Sequence, residues 1–102
     1  MSEIEYTLSH KGFTGVVLSA TIDGRHAGNV YFNSVSDSID VVCAVGVSAL
    51  RERFHPIIYL SAEKLIEDVE RELRHMAEVA RYYWLGVAAE MDARAKAKVA
   101  AA

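Results

Sequence analysis

The sequence predicts an α+β domain in which a four- or five-stranded antiparallel meander packs on one long C-terminal helix. Three observations support this prediction. The first half of the chain alternates apolar and polar residues with the two-residue period of strands. Turn sequences such as Asp23-Gly24 and NSVSDS interrupt the alternation at short intervals. The second half instead repeats apolar residues at spacings of three and four, which is the period of a helix.

The first three predicted strands precede the NSVSDS turn. The N-terminal run EIEYTLS, residues 3–9, alternates as a half-buried strand does. A second run, VVLSATI, ends at Asp23-Gly24, where a hairpin is expected. With Gly24 as the left-handed residue of a three-residue turn, Ala20 is expected opposite His26. The third strand then presents Val30 and Phe32 to the same core.

The next run, IDVVCAVGV, is apolar on both faces and is predicted to be an interior strand. One face of this strand comprises Ile39, Val41, Cys43, Val45 and Val47. The segment SALRERFHP breaks the pattern and is predicted to be a connection, followed by a short β-like run at residues 57–59. The sheet region therefore spans residues 3–60.

A long helix is predicted over residues 61–92, followed by a frayed Ala/Lys tail at 93–102. Ser61 is suited to be the N-cap, and Leu60 and Leu65 have the spacing of a hydrophobic staple. The predicted core stripe comprises Ala62, Ile66, Val69, Leu73, Met76, Ala80, Tyr83 and Val87, widened by Leu65, Ala77, Trp84, Ala88 and Met91. Pairs such as Lys64/Asp68, Glu67/Arg71 and Glu70/Arg74 are predicted to cover the opposite, solvated face.

Composition and charge argue against several classes of protein. The 102 residues suffice for one hydrophobic core, so a single domain over residues 1–102 is expected. The apolar runs are far shorter than a membrane span, and the acidic, alternating N-terminus is unlike a signal peptide, so we expect a cytoplasmic protein without membrane contact. The 11 basic and 14 acidic side chains are interspersed, so no patch for direct nucleic-acid contact is expected.

Cysteine and histidine content indicates no catalytic or metal-binding cluster. Cys43 lies in the apolar run VVCAVGV, where a thiol is expected to be buried and unreactive. The four histidines, His10, His26, His55 and His75, lack the spacing of metal ligands. We therefore predict no catalytic residue, no metal and no cofactor.

The segment SALRERFHP contains the strongest candidate for a ligand site. Arg51 and Arg53 offer guanidinium donors to a carboxylate or phosphate, and Phe54 offers a stacking face. Together with His55, they precede the helix start at Ser61, where free backbone amides favour negative charge. These residues are predicted to bind a small anionic ligand or a partner surface. The alternative is a solvated connection with Phe54 packed beneath it.

Two segments, VVLSATIDGRHAGNVYF and SIDVVCAVGV, resemble the central meander of the acetyl-CoA-dependent N-acetyltransferases. In that superfamily a hairpin with an Asp-Gly turn leads into a central strand. The resemblance covers about a third of the chain. The superfamily holds the cofactor pyrophosphate with a basic, glycine-rich loop at a helix start, whereas SALRERFHPI has no glycine and contains a proline. The resemblance therefore implies no acetyl-CoA site in this chain.

The stretch RYYWLG predicts an interface between copies of the chain. On a helix that turns about 100° per residue, Tyr83 and Trp84 fall in the core stripe. The face that carries charges two turns earlier receives Tyr82, Leu85, Gly86 and Ala89. A helix of about thirty residues is about 45 Å long and a ten-residue strand about 33 Å, so these turns are expected to overhang the sheet. Large apolar patches usually mark contacts, so we predict a homo-oligomer. The alternatives for this stretch are ordinary core and a site for a foreign partner or an aromatic ligand.

These observations favour a small non-catalytic binding protein that acts as a homo-oligomer. It is expected to occlude a protein partner or to sequester a small anionic ligand, as phage or mobile-element inhibitors of host defence of this size do. The alternative is a small transferase or hydrolase that uses His55 or Cys43 in a cleft formed between subunits.

Overall fold

The computed structural model describes residues 3–46 and 48–101 and confirms the predicted α+β architecture. The strands are β1 (Ile4–Gly12), β2 (Gly15–Ile22), β3 (Arg25–Asn33), β4 (Ser38–Val45) and β5 (Ser48–Phe54). They form one antiparallel sheet in chain order, β1-β2-β3-β4-β5. A 3-10 helix (Pro56–Ile58) leads to helix α1 (Ala62–Ala101), which covers one face of the sheet.

The β2–β3 hairpin has a tighter turn than predicted. Asp23 and Gly24 have φ angles of 53° and 75°, and two successive residues with positive φ form a two-residue hairpin turn. The turn places Thr21 opposite His26, and a register shift then pairs Ala20 with Gly28, so the predicted pairing of Ala20 with His26 was wrong. The register shifts after Ala20, and this irregularity leaves Ala27 buried between the paired positions.

The second half of the sheet confirms one strand prediction and corrects two. β4 lies between β3 and β5, as its two-sided hydrophobicity predicted. The segment predicted to be a connection is the edge strand β5, which pairs with β4 from Ser48 to Phe54. The β-like run predicted at residues 57–59 was wrong, because a 3-10 helix occupies Pro56–Ile58. Val47, predicted to share the β4 core face, lies outside the described residues.

The core lies between the sheet and the N-terminal half of α1. Its buried members are Ala20, Val30, Ile39, Val41, Cys43, Val69, Leu73 and Met76. Both the helix and β4 approach closely at Gly28, because a Cβ there would lie 3.4 Å from Leu73 Cδ2 on α1 and 2.8 Å from the Val42 carbonyl oxygen on β4. Phe32, predicted to be in this core, is 39% exposed.

Helix α1 begins as predicted and ends later. The Ser61 hydroxyl accepts a hydrogen bond from the Lys64 amide at 3.2 Å, which confirms the N-cap. The hydrophobic staple was wrong, because Leu60 is fully exposed. The helix continues through the predicted tail to Ala101, since alanine, lysine and arginine are among the strongest helix formers.

Side-chain hydrogen bonds fix α1 to the rest of the fold near its N-terminus. The Tyr6 hydroxyl on β1 donates to Glu70 at 2.8 Å, and the Tyr59 hydroxyl donates to Asp68 at 2.8 Å. On the solvated face, Lys64 pairs with Asp68 at 3.1 Å, as predicted. The predicted Glu67/Arg71 pair also forms, at 3.2 Å.

Candidate functional site

The C-terminal half of α1 extends past the sheet. The molecule measures 62 × 30 × 22 Å, and a 40-residue helix is about 60 Å long, so α1 spans its longest dimension. Leu73 and Met76 are buried against the sheet. From Arg81 to Ala100 every residue is exposed except Val87, which is half-buried. The overhang predicted from helix and strand lengths is therefore present, and it spans about half of α1.

The overhang begins with eight uncharged residues at positions 82–89, which we call the apolar segment. At about 100° per residue, these eight side chains point all round the helix axis. Tyr82, Trp84 and Leu85 are 66%, 56% and 54% exposed. The predicted core positions of Tyr83 and Trp84 were wrong, because the two residues are 42% and 56% exposed. Within residues 3–46 and 48–101, no helix is long and apolar enough to span a membrane.

Tyr83 is the residue of the apolar segment that holds this part of the helix beside the sheet. Its hydroxyl lies against Gly46, where a Cβ would overlap it. Gly46 also has a φ of 62° and follows β4 directly. The Tyr83 ring packs edge-on against Trp84, with 5.3 Å between ring centroids and 80° between planes. These contacts leave the exposed side of Trp84 next to a groove.

The groove runs between the flank of α1 and the β2–β3 hairpin and has a volume of about 1100 Å³. Its hairpin wall includes Asp23, His26 and Ala27, and its helix wall comprises Arg74, Ala77, Glu78, Ala80, Arg81, Tyr82, Trp84 and Leu85. Two of the predicted interface residues, Tyr82 and Leu85, thus lie on its rim. The other two, Gly86 and Ala89, lie one turn further along the exposed helix, and a Cβ at Gly86 would meet no atom within 4 Å.

Glu90, which directly follows the apolar segment, pairs with Arg94, but four other charged residues that flank the segment differ from those nearer the helix start. Near the start, Lys64, Glu67, Asp68 and Arg71 pair with one another within the chain. Glu78, Arg81, Asp92 and Lys96 form no ion pair within residues 3–46 and 48–101. Sequence analysis missed these four residues. The sequence pattern that could have indicated them is one acidic and one basic residue on each side of the uncharged run at positions 82–89.

Phe54 is separated from the other residues of the predicted anion site, since Arg51, Arg53 and His55 all act electrostatically on Asp40. Arg51 and Arg53 lie on the sheet face opposite α1, whereas Phe54 packs toward the core on the other face. Strand alternation causes this separation, because neighbouring residues of β5 point to opposite faces. His55 is exposed and lies between β5 and the 3-10 helix.

Asp40 on β4 already engages Arg53. Arg53 donates from Nε to Asp40 Oδ1 at 2.7 Å and from Nη2 to Asp40 Oδ2 at 3.0 Å. Arg51 Nη1 lies 3.8 Å from the same carboxylate. The hydrogen bonds from Arg53, followed by the charges of both arginines, hold the pKa of Asp40 below its usual value. The Arg51 side chain is 63% exposed and that of Arg53 is 52% exposed, and Arg51 makes only the longer contact with Asp40.

Cys43 lies in the core, as its apolar strand indicates. It is 5% exposed, and burial raises the pKa of its thiol. His26 Nδ1 lies 3.1 Å from the Ser19 hydroxyl on the neighbouring strand. In the described part of the chain, no three His, Cys, Asp or Glu side chains gather as metal ligands do.

Comparisons with protein-family models, curated proteins and solved structures find no match for this chain.

Proposed function

We propose that this chain is a non-catalytic binding protein that functions as a homo-oligomer, held together through the apolar segment of α1. That segment is the observation that most directly supports self-association. A helix that is apolar all round is normally buried, yet Tyr82, Trp84 and Leu85 are each more than half exposed. Contact with a second copy would remove these side chains from water.

Small residues in the same region favour helix-to-helix contact. Gly86, Ala88 and Ala89 leave room for another helix to approach, and Gly86 costs about 1 kcal/mol in helix propensity relative to alanine. Tyr82 and Leu85 then supply the large apolar contacts of the interface.

We propose that the assembly acts by binding alone, without catalysis. It would occlude a protein partner or hold a small anionic ligand, as a mobile-element inhibitor of host defence would. The exposed guanidinium of Arg51 supports an anionic contact on the free sheet face. Arg53 supports the site indirectly, because its hydrogen bonds to Asp40 fix the local charge arrangement.

The self-association is tested by placing charges in the apolar segment. Tyr82→Glu with Leu85→Glu buries several carboxylates in any interface built on these residues, so the dissociation constant should rise at least about 100-fold. Light scattering after size-exclusion chromatography measures the mass. The sheet should stay folded by circular dichroism, because neither side chain belongs to the core.

A matched control places the same charges elsewhere. Phe13 and Leu60 are fully exposed and lie outside α1, so Phe13→Glu with Leu60→Glu should leave the mass of the assembly unchanged. A wild-type chain that is monomeric at micromolar concentration would disprove the homo-oligomer.

The ligand proposal is tested separately by native mass spectrometry of freshly purified protein. A co-purified anionic species should be present in the wild type, lost in Arg51→Ala and retained in Lys11→Ala, a control on β1 that removes the same charge. Added salt should weaken retention. Equal retention in all three proteins would place the ligand elsewhere.

A further inference from the structure

We infer that two copies pair through antiparallel α1 helices, so that residues 88–99 of each copy occupy the groove between α1 and the β2–β3 hairpin of the other. The inference rests on the proposed self-association and specifies its occupant and orientation. It is drawn from the arrangement of charges around the apolar segment and from the position of the groove.

Glu78, Arg81, Asp92 and Lys96, which form no ion pair with the described residues, lie on one face of α1. At about 100° per residue, Glu78, Arg81, Asp92 and Lys96 all fall within about 40° of Leu85 around the helix axis. Along the chain they read acidic and basic before the apolar segment, then acidic and basic after it. Within residues 3–46 and 48–101, ion pairs engage Lys64, Glu67, Asp68 and Arg71 nearer the helix start and join Glu90 to Arg94, but none engages these four.

An antiparallel pair with its two-fold axis between positions 86 and 87 brings opposite charges together. Arg81 then lies opposite Asp92 of the second copy, and Glu78 lies within one residue of the level of Lys96. Leu85 lies opposite Ala88, so a large and a small side chain alternate at the centre. A parallel pair in register would instead place Arg81 opposite Arg81 and Asp92 opposite Asp92. Complementary charge therefore selects the antiparallel arrangement.

The same axis aligns residues 88–99 of one copy with residues 74–85 of the other. Those residues form the helix wall of the groove, which has room of about 1100 Å³. The inserted face comprises Ala88, Asp92, Ala95, Lys96 and Val99, of which Ala88 and Ala95 are small and Val99 is apolar. Val99 is 78% exposed in the single chain. Insertion would cover it.

Charge reversal tests the pairing. Arg81→Glu places two like-charge contacts in each dimer, so the dissociation constant measured by analytical ultracentrifugation should rise about tenfold or more. Asp92→Arg should do the same. The combined variant, Arg81→Glu with Asp92→Arg, should return to within about threefold of the wild type. Lys11→Glu on β1 changes the net charge as Arg81→Glu does and should have no effect.

A distance measurement tests the orientation independently. A spin label at Ala100→Cys, in a Cys43→Ala background, should lie about 40 Å from its copy in the antiparallel dimer. A parallel pair would place the labels about 10 Å apart.

The outcomes separate the two proposals. A monomeric wild type disproves self-association and this pairing together. A wild-type dimer that tolerates Arg81→Glu, or that is not restored by the combined variant, keeps self-association and overturns the pairing. A short distance between labels also overturns it.

Discussion

Cys43 shows how a reactive residue type becomes part of the core. Its side chain packs among Val41, Leu73 and Met76 and is 5% exposed. Burial disfavours the thiolate, which is the nucleophilic form, and raises the pKa of the thiol. Cys43 therefore contributes to the packing of the core. The alternative role for this residue was that of a nucleophile paired with a histidine.

Cys43→Ala is expected to lower the free energy of unfolding by about 1 to 2 kcal/mol, because it removes a buried sulfur atom from a packed core. Urea denaturation measures the change, with the dissociated Tyr82→Glu/Leu85→Glu variant as background so that assembly does not contribute. Labelling of the native thiol by a bulky maleimide should be slow. Rapid labelling at neutral pH would contradict the burial.

Ionisation of Asp40 makes the free energy of unfolding depend on pH, and we expect it to fall in acid. Hydrogen bonds from Arg53 lower its pKa in the folded state, so its contribution is present above the unfolded pKa of about 3.9 and is lost as pH falls through the folded pKa. Asp40→Asn should cost about 1 kcal/mol at pH 7. That difference should shrink toward zero in acid.

Urea denaturation of the wild type and Asp40→Asn between pH 7 and pH 2 measures this difference. Glu5→Gln, an exposed carboxylate on β1, is the control and should change stability little at any pH. A cost of Asp40→Asn that is equal at pH 7 and pH 2 would show that its ionisation is not the cause.

At the scale of the element, the two halves of α1 differ in character. Its first half is an amphipathic helix whose apolar stripe includes the buried Val69, Leu73 and Met76. Its second half contacts little of the sheet, so its hydrogen bonds depend on helix propensity alone. We therefore expect residues 88–99 to unfold locally in a single chain without unfolding the core.

Hydrogen exchange tests this difference. In the dissociated Tyr82→Glu/Leu85→Glu variant, amides of residues 88–99 should exchange far faster than that of Leu73, and in the wild-type assembly they should be protected. Adding Gly86→Ala to the dissociated variant should slow their exchange about fivefold, because alanine stabilises a helix by about 1 kcal/mol and its Cβ would meet open space. Equal protection in both assembly states would contradict a helix that is stabilised by a second copy.

At the scale of the whole molecule, folding and assembly are expected to be linked. Any partner that binds only the folded chain adds stability that depends on its concentration. The midpoint of thermal unfolding should therefore rise with protein concentration in the wild type. It should not change with concentration in Tyr82→Glu/Leu85→Glu. A wild-type midpoint that stays constant over a hundredfold range of concentration would argue against an assembly of this kind.

The sequence by itself determined the strand order of the meander, the interior position of β4, the helix start at Ser61 and the uncharged run at residues 82–89. Each of these depends on local periodicity, turn residues or capping, which act over a few neighbouring residues. The same local reasoning failed at β5, because an edge strand with alternating charges has no apolar pattern of its own and is defined by its pairing with β4.

Only the tertiary structure decided where the sheet stops beneath α1. That limit exposes Trp84, which the helical period alone places in the core stripe. It also creates the groove beside the β2–β3 hairpin. Pairing across strands likewise commits Arg53 to Asp40, 13 residues away in the chain. Such contacts join residues distant in sequence, so periodicity within a single segment does not encode them.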